Sequence, residues 1–455
     1  MASMARDIAV LALCDKAGNV TAALDRMVGQ TPLTPADRAL AYELGLGTLR
    51  RQRTLRTITH AFLHREGHLP RNLEAIIQVA LYQLLMLTRV PPFAAVDEAV
   101  RQAVQMHHKR QSGLVNALLR TVLREVSPPT PGRAELAADV LPTGPDSYRR
   151  FKKPLFVNPQ TDLAVHLAQV YSLDDTLVER WLANLDDPAR VRQICEQSVS
   201  RAPLTLRVNR LRATLDQARA TLEAQGQTVL AHVNGHNLVL GERAHVQELA
   251  AFEQGLIQPQ DATATEVGLT AGPKPGMNVL DFCAAPGTKT THLAELMDNR
   301  GRITAVDVSD EKIQRIAQNC QRLGITIVEP MLSEHLNTLE LGSFDLVLAD
   351  VPCSNTGVLA RRAEARWRFS QKMVSQMAND QLLLAMAAAE YVKPGGRLIY
   401  STCSIEPEEG PRVAAALTAR KPQMRLLGEY QTLPEGADRP ETWRDGGYLA
   451  LLGRV

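Results

Sequence analysis

The sequence predicts three folded parts in series: an all-α bundle, a small α+β module, and a mostly parallel, doubly wound α/β domain. Three observations predict this. Apolar pairs recur every four residues through the first 126 positions, five prolines crowd between Ser127 and Pro145, and from about residue 275 continuous apolar runs alternate with amphipathic stretches. A chain of 455 residues with 45% apolar side chains has the length for several such cores.

Helical periodicity is plainest in "LEAIIQVALYQLLML", where Ile76/Ile77, Ala80/Leu81 and Leu84/Leu85 return at the α-helical interval. "GLVNALLRTVL" repeats it with Leu114/Val115, Leu118/Leu119 and Val122/Leu123. Pro91 and Pro92 end the first run, because proline lacks the amide hydrogen a helix interior needs. Residues 1–126 therefore read as a helical domain. Proline can neither continue a helix nor occupy a central strand, so 127–149 reads as a linker.

Residues 150–270 read as the α+β module. "LTLRVNRL" alternates Leu204, Leu206 and Val208 with Thr205, Arg207 and Asn209, the pattern of a strand with a polar outer face. The helical "TLDQARATLEAQG" follows, then two short strands divided at Asn234-Gly235. The module lacks the interleaved aromatics of a base-stacking sheet, so any nucleic-acid contact there would go through backbone and shape. In residues 271–455, "NVLDFCAAPGTKTTHLAELM", "GRITAVDVSDEKIQRIAQNCQRLG", "SFDLVLADVPCS" and "GRLIYSTCS" place apolar strands between amphipathic helices, the doubly wound arrangement.

Composition excludes several classes. No run of eighteen apolar residues occurs, which argues against a membrane span and points to the cytoplasm. The six cysteines, at 14, 195, 283, 320, 353 and 403, form no C-x-x-C pair, so neither a metal site nor a disulfide framework is expected. Residues 1–153 hold 21 Lys+Arg against 13 Asp+Glu, and the remainder 30 against 36. A basic first third joined to a weakly acidic remainder often marks a polyanion-binding part attached to a catalytic part, although an excess this modest is more commonly a solvated basic surface.

Ligands of a doubly wound sheet sit at the carboxyl ends of its strands. The residues that stand out fall there: Asp281 to Gly287, Asp307, Asp350 to Cys353, and Cys403. "DFCAAPGTKT" has one of the three glycines of a dinucleotide fingerprint and no Gly-Lys-Ser/Thr, which disfavours a pyrophosphate cradle and leaves a nicotinamide-dependent dehydrogenase as the weaker third reading. What remains is a turn of small residues that admits a nucleoside, and Asp307, twenty residues beyond Gly287, to accept ribose hydroxyls. A nucleoside without phosphates suggests S-adenosylmethionine. A lone cysteine ending an apolar strand is ordinarily inert packing. Two on neighbouring strands beside an Asp fit a thiolate that adds to carbon six of a cytosine and activates carbon five toward a methyl donor.

These segments resemble a known family. "DFCAAPGTKT", "DVPCSNTGVLARRAEARWR" and "YSTCSIEPEE" are similar to those of the RNA cytosine-5 methyltransferases. "RVPPFAAVDEAV" and "GLVNALLR" resemble the NusB-like helical domain of the bacterial Sun/Fmu (RsmB-type) members, which modify 16S ribosomal RNA. The resemblance implies a Rossmann-like class I methyltransferase domain at 271–455, after a NusB-like domain at 1–126 and an RNA-recognition module at 150–270. By the same likeness Cys403 is the nucleophile, Cys353 assists release of the covalent adduct, and Asp350 contacts the base. The cofactor loop falls on Cys283, Ala284, Ala285, Pro286, Gly287, Thr288 and Lys289, with Asp307 as the ribose acid and Asp350 also at the cofactor. The implied enzyme is a monomer without metal or membrane attachment, acting on RNA, most simply 16S rRNA. A transfer-RNA cytosine-5 methyltransferase, or a ribosome-assembly factor that binds RNA on a catalytically impaired scaffold, are the alternatives.

Three positions depart from the family pattern. Thr288 replaces the second glycine of Gly-Gly-Lys, which predicts negative φ there or a shifted loop. After the third strand only Glu329 and Glu334 offer an acid for the adenine amino group, and Gly410 stands where Asn is common.

Overall fold

The structure is a computed structural model that describes all residues except 1, 16–17, 64–67, 107–108 and 242–244. The chain forms two compact units. Unit 1 comprises Met1–Ser200 with Leu359–Arg368, and unit 2 comprises Arg201–Val358 with Phe369–Val455.

Unit 1 begins with seven helices: α1 (Ala2–Leu13), α2 (Val20–Gln30), α3 (Pro35–Arg50), α4 (Gln52–Ala61), α5 (Arg71–Met86), α6 (Pro92–Gln105) and α7 (Ser112–Glu125). Their starts follow local chemistry. Thr34 caps α3 by accepting from the Asp37 amide, with Pro35 just inside, and Pro91 and Pro92 open α6 after ending the preceding run. α5 is the axial helix, buried without interruption from Ala75 to Leu85.

The expected linker at 127–149 is instead structured. β1 (Thr130–Pro131), β2 (Val140–Gly144) and β3 (Ser147–Arg150) form an antiparallel sheet in the order β1-β3-β2. Its prolines obey the rule that suggested a linker: Pro131 and Pro142 lie on the two edge strands, and the central β3 has none. A second correction concerns residue 150. Helices α8 (Leu163–Val170), α9 (Asp175–Leu185) and α10 (Pro188–Val199) continue unit 1, burying Leu167, Tyr171 and Trp181, and the first strand of the α+β module's sheet starts only at Leu204. The segment Leu359–Arg368 is anchored in unit 1 by buried Arg366, whose guanidinium donates to the carbonyls of Arg50 (2.9 Å), Ser172 (3.2 Å) and Ser198 (2.6 Å).

Unit 2 opens with β4 (Leu204–Val208), α11 (Leu215–Glu223), β5 (Val229–Ala231), β6 (Asn237–Leu240), α12 (Ala250–Glu253) and β7 (Ile257–Pro259), an antiparallel sheet in the order β5-β6-β4-β7. The polar side of β4 is not solvated as its alternation implied. Thr205, Arg207 and Asn209 are buried, with Arg207 paired to Glu295 at 2.6 Å and donating to the Thr288 carbonyl at 2.8 Å. The strand thus presents its polar face to a second protein layer rather than to water.

There follow α13 (Ala262–Ala271), β8 (Asn278–Asp281), α14 (Thr288–Leu296), β9 (Arg302–Asp307), α15 (Asp310–Leu323), β10 (Val328–Leu332) and β11 (Phe344–Asp350). After the excursion into unit 1, which ends in α16 (Ala365–Arg368), come α17 (Gln371–Tyr391), β12 (Val392–Thr402), α18 (Pro411–Arg420), β13 (Met424–Thr432) and β14 (Gly447–Arg454). The seven strands form one sheet in the order β10-β9-β8-β11-β12-β14-β13, all running in one direction except β14, which is antiparallel to both its neighbours. Alternate residues of β11 serve opposite cores, Val347 and Ala349 with the α17 and α18 side and Leu346 and Leu348 with the α13 to α15 side. This is the predicted Rossmann-like layering, and it brings the carboxyl ends of β8, β9, β11 and β12 to one edge.

Candidate active site

The loop after β8 holds its form through its own backbone. Gly287 takes φ 91°, its amide donates to the Ala284 carbonyl at 2.7 Å, and a Cβ there would come 3.3 Å from Ile316 Cα. Thr288 is already the first residue of α14, so the β-branched side chain meets a helical φ and only Gly287 carries the left-handed turn. The loop does not need a second glycine.

Asp307 ends β9 beside this loop. Its carboxylate accepts from the amides of Ala285 (2.9 Å) and Val308 (2.7 Å) and from Lys312 Nζ (2.8 Å). Burial acts to raise its pKa, but these three donors outweigh burial and hold it below the usual range. A carboxylate has about four acceptor positions, so a ribose hydroxyl still finds one. Asp281 is different. It is 1% exposed, receives the Thr290 hydroxyl at 2.7 Å on one oxygen, and leaves the other buried without a partner. Burial pushes it up to about 7, against the Thr290 bond. Burial also pushes the Cys283 thiol up to about 12, helped by Asp281, Asp350 and Asp307, so that cysteine is a loop residue and not a nucleophile. Of the candidate adenine acids, Glu329 lies within β10 and pairs with Arg302 at 2.5 Å, while Glu334 follows the carboxyl end of that strand and is exposed.

One strand over, Asp350 ends β11. It receives Lys289 Nζ at 2.6 Å and Ser401 Oγ at 2.8 Å. Burial works against the Lys289 ammonium, yet Asp350 outweighs it and holds its pKa above the ordinary value. Lys289, Asp350, Ser401 and Cys403 line a cavity of about 420 Å³, with Tyr430 and Arg444 also on its wall. Cys403 is therefore not sealed in hydrocarbon. Cys353 is not among the residues lining this cavity. It is buried, with its sulfur 3.0 Å from that of Cys403 and no disulfide between them. The hydrogen bond to Cys403, more than burial, raises the Cys353 thiol well above its ordinary range. Asn355, at φ 63°, braces the pair: its amide donates to the Cys353 carbonyl at 2.8 Å and its oxygen accepts from Cys403 Sγ at 3.3 Å.

A residue that the sequence reading did not single out ties the two cysteine loops together. Glu409, wholly buried, accepts from the Ser354 amide (2.8 Å) and hydroxyl, from Ser404 Oγ (2.5 Å) and from Gln381 Nε2 (2.9 Å), and its own carbonyl accepts from Tyr400 (2.6 Å). The signal for it was the repeated Cys-Ser dipeptide, since each cysteine is followed by a hydroxyl that needs an acceptor. Gly410 fits the same corner, where a Cβ would come 3.0 Å from Tyr448 Cγ.

The chain as a whole is similar to known proteins. A pattern described as 16S rRNA methyltransferase RsmB/F matches residues 269–442, the NusB family matches 3–124, and the ferredoxin-like domain of RsmF/B matches 174–247. Ribosomal RNA small subunit methyltransferase B of Vibrio cholerae is 31% identical over 93% of this chain and 91% of its own. The chain belongs to the RsmB/F family. A probable small subunit methyltransferase B of Synechocystis is 33% identical over 98% of this chain and 96% of its own. Among solved structures, PH0851 matches the fold with a TM-score of 0.75 over 99% of this chain and 98% of its own, at 23% identity. A methyltransferase homolog from Pyrococcus horikoshii matches at 0.56 over 65% of this chain and 99% of its own, at 26% identity. This RsmB/F member is an S-adenosylmethionine-dependent RNA methyltransferase with a NusB-like helical region, a ferredoxin-like module and a Rossmann-like catalytic domain.

Proposed function

We propose that the chain methylates carbon five of a cytosine in 16S rRNA, in the bacterial cytoplasm, through a covalent bond between Cys403 and carbon six. The observation that carries this reading is the joint placement of Cys403, Asp350 and Lys289 on one cavity, with a second thiol 3.0 Å behind the first.

The strand-end crevice fits the cofactor: Gly287 keeps the turn free of side chain, Asp307 retains an acceptor for ribose, and Val308, 71% exposed directly after it, offers an apolar face to a base. When bound there, S-adenosylmethionine supplies an electrophilic methyl group. The chain's own residues do the rest. A cytosine taken out of its stack, at a cost of a few kcal/mol, enters the cavity. Phosphate contacts from the basic first third of the chain would offset that cost. The Cys403 thiolate bonds to carbon six, and the π pair of the ring moves toward nitrogen three. There the proton shared by Lys289 and Asp350 meets it, while Asp350 accepts from the exocyclic amine. Carbon five then takes the methyl group, and the borrowed proton returns.

Release needs a proton at the departing sulfur and a base for the carbon-five proton. Cys353, kept as a thiol, hands its proton to the Cys403 sulfur as the carbon–sulfur bond breaks. The strongly basic Cys353 thiolate so formed takes the carbon-five proton, and Cys403 departs as a thiol, whose proton passes to solvent as the one proton that the methyl transfer releases.

The test is bisulfite sequencing of an unmodified 16S rRNA transcript after incubation with the protein and S-adenosylmethionine. One cytosine should become resistant to conversion; a methylated RNA with every cytosine still converted would move the reaction to another atom.

A further inference from the structure

Cys353 and Cys403 are placed for a reaction besides proton exchange. They follow the paired strands β11 and β12, where Asp350 and Ser401 stand side by side, and the turns beyond are bonded to each other. The Val351 amide donates to the Ser401 carbonyl at 3.0 Å, the Gly357 amide donates to the Cys403 carbonyl at 3.0 Å, and the Ser354 and Ser404 hydroxyls meet at 3.0 Å on Glu409. Gly357 admits this approach, since a Cβ there would come 2.8 Å from the Cys403 carbonyl oxygen. The separation of the two thiols is thus set by backbone fixed on both sides.

Their sulfurs lie 3.0 Å apart as free thiols, and among the described residues no other two thiols are in hydrogen-bond contact. A disulfide needs about 2.05 Å, so about one ångström of side-chain motion would join them. Access is unequal. Cys403 is on the wall of the 420 Å³ cavity, open to any small solute that enters, whereas Cys353 is buried and absent from that wall. An open thiol backed by a shielded one is the arrangement in which the first is oxidised and the second resolves it.

We propose that the two cysteines form a redox-sensitive switch, in which a hydroperoxide entering the cavity drives them to a disulfide that halts methyl transfer until a thiol reductant reopens it. First, the Cys403 sulfur bonds to one peroxide oxygen as the oxygen–oxygen bond breaks, leaving a sulfenic acid and releasing water. The Cys353 sulfur then bonds to the Cys403 sulfur, the sulfur–oxygen bond breaks, and the departing hydroxyl takes the Cys353 proton as a second water. The thiols have given up two electrons and the peroxide has accepted them. A dithiol reductant returns both by exchange at Cys403, the sulfur it can reach. Without a neighbouring thiol the sulfenic acid stays open to irreversible oxidation to the sulfinic acid, so Cys353 also protects the site. The loss of activity rests on Cys403 being the nucleophile proposed above; the disulfide does not.

The test treats the full chain, as wild type and as Cys353→Ser, with hydrogen peroxide, then follows methylation of an unmodified 16S rRNA transcript before and after dithiothreitol while mass spectrometry maps every cysteine. In the expected result wild-type methylation falls by roughly tenfold or more and returns with dithiothreitol. The oxidised wild type yields one peptide pair joined through Cys353 and Cys403, two hydrogens lighter than the reduced pair. In Cys353→Ser, Cys403 goes on to the sulfinic acid, which dithiothreitol does not reverse. A wild type whose Cys403 reaches the sulfinic acid beside a free Cys353 would overturn the switch, a result that needs no variant to fold. So would a loss of methylation with no joined peptide, or a joined peptide with methylation unchanged. A reduced protein that methylates no cytosine at carbon five, yet gives the joined peptide on oxidation, would sink the reaction assigned to Cys403 and leave the disulfide standing.

Discussion

Two regions of the molecule bury thiols, and they do so to opposite effect. Cys195 in α10 is wholly buried, and burial pushes its thiol far above the usual range. Cys320 in α15 is nearly as buried, and desolvation alone pushes it up to about 11. Neither sulfur has a side-chain hydrogen-bond partner among the described residues, and burial has made both inert. At the carboxyl edge of the sheet, Cys353 and Cys403 are held by polar groups instead: each other, Asn355, and the serine hydroxyls that converge on Glu409. Burial raises a thiol in both places. Only a hydrogen-bonded frame lets one thiol hold its proton for another's use.

The comparison is broken most directly by exchanging the two kinds of cysteine. Cys403→Ala should reduce methyl transfer by at least roughly 10⁴-fold, the scale of losing a nucleophile, with little change in stability. Cys195→Ala should do the reverse, leaving turnover intact and costing about 1 kcal/mol in a denaturant melt. Equal losses of activity in the two variants would erase the distinction.

The frame itself is tested at Glu409. Glu409→Gln keeps the shape but gives the Ser354 and Ser404 hydroxyls an amide in place of a carboxylate. Because displacement of a reacting group by about an ångström can cost about a hundredfold, kcat should fall by about that factor with the RNA KM unchanged. A change confined to melting temperature would make the residue structural only.

A smaller effect is carried by Asp281, whose folded pKa of about 7 stands above the ordinary 3.8. Its contribution to stability is complete below the unfolded value and is lost as pH rises through about 7. Wild type should therefore lose roughly 3–4 kcal/mol relative to Asp281→Asn between pH 4 and 8. Parallel pH profiles for the two proteins would show that the carboxyl is already ionised in the fold.

The sheet and its strand-end residues were legible because a continuous apolar run marks a strand buried on both faces, as in β11. The loop around Gly287 was legible from its small residues, and so was the placement of Asp350 and Cys403 at neighbouring strand ends. Other features were hidden because they depend on what a surface meets after folding. The polar face of β4 reads as solvent-exposed until Glu295 and the Thr288 carbonyl are placed against Arg207. The prolines of 127–149 read as a linker because sequence does not reveal which strand will be the edge. Glu409 looks like any acid in a charged turn until Ser354 and Ser404, fifty residues apart, arrive on the same carboxylate.

The division of labour between the two sulfurs is the central claim, and trapping tests it most directly. Cys353→Ala, incubated with S-adenosylmethionine and an unmodified 16S rRNA transcript, should yield a protein–RNA species that survives a denaturing gel, because the adduct forms but lacks its proton relay. The Cys353→Ala/Cys403→Ala protein should yield none. An adduct that persists without Cys403, or that accumulates on Cys403→Ala alone, would contradict the assignment.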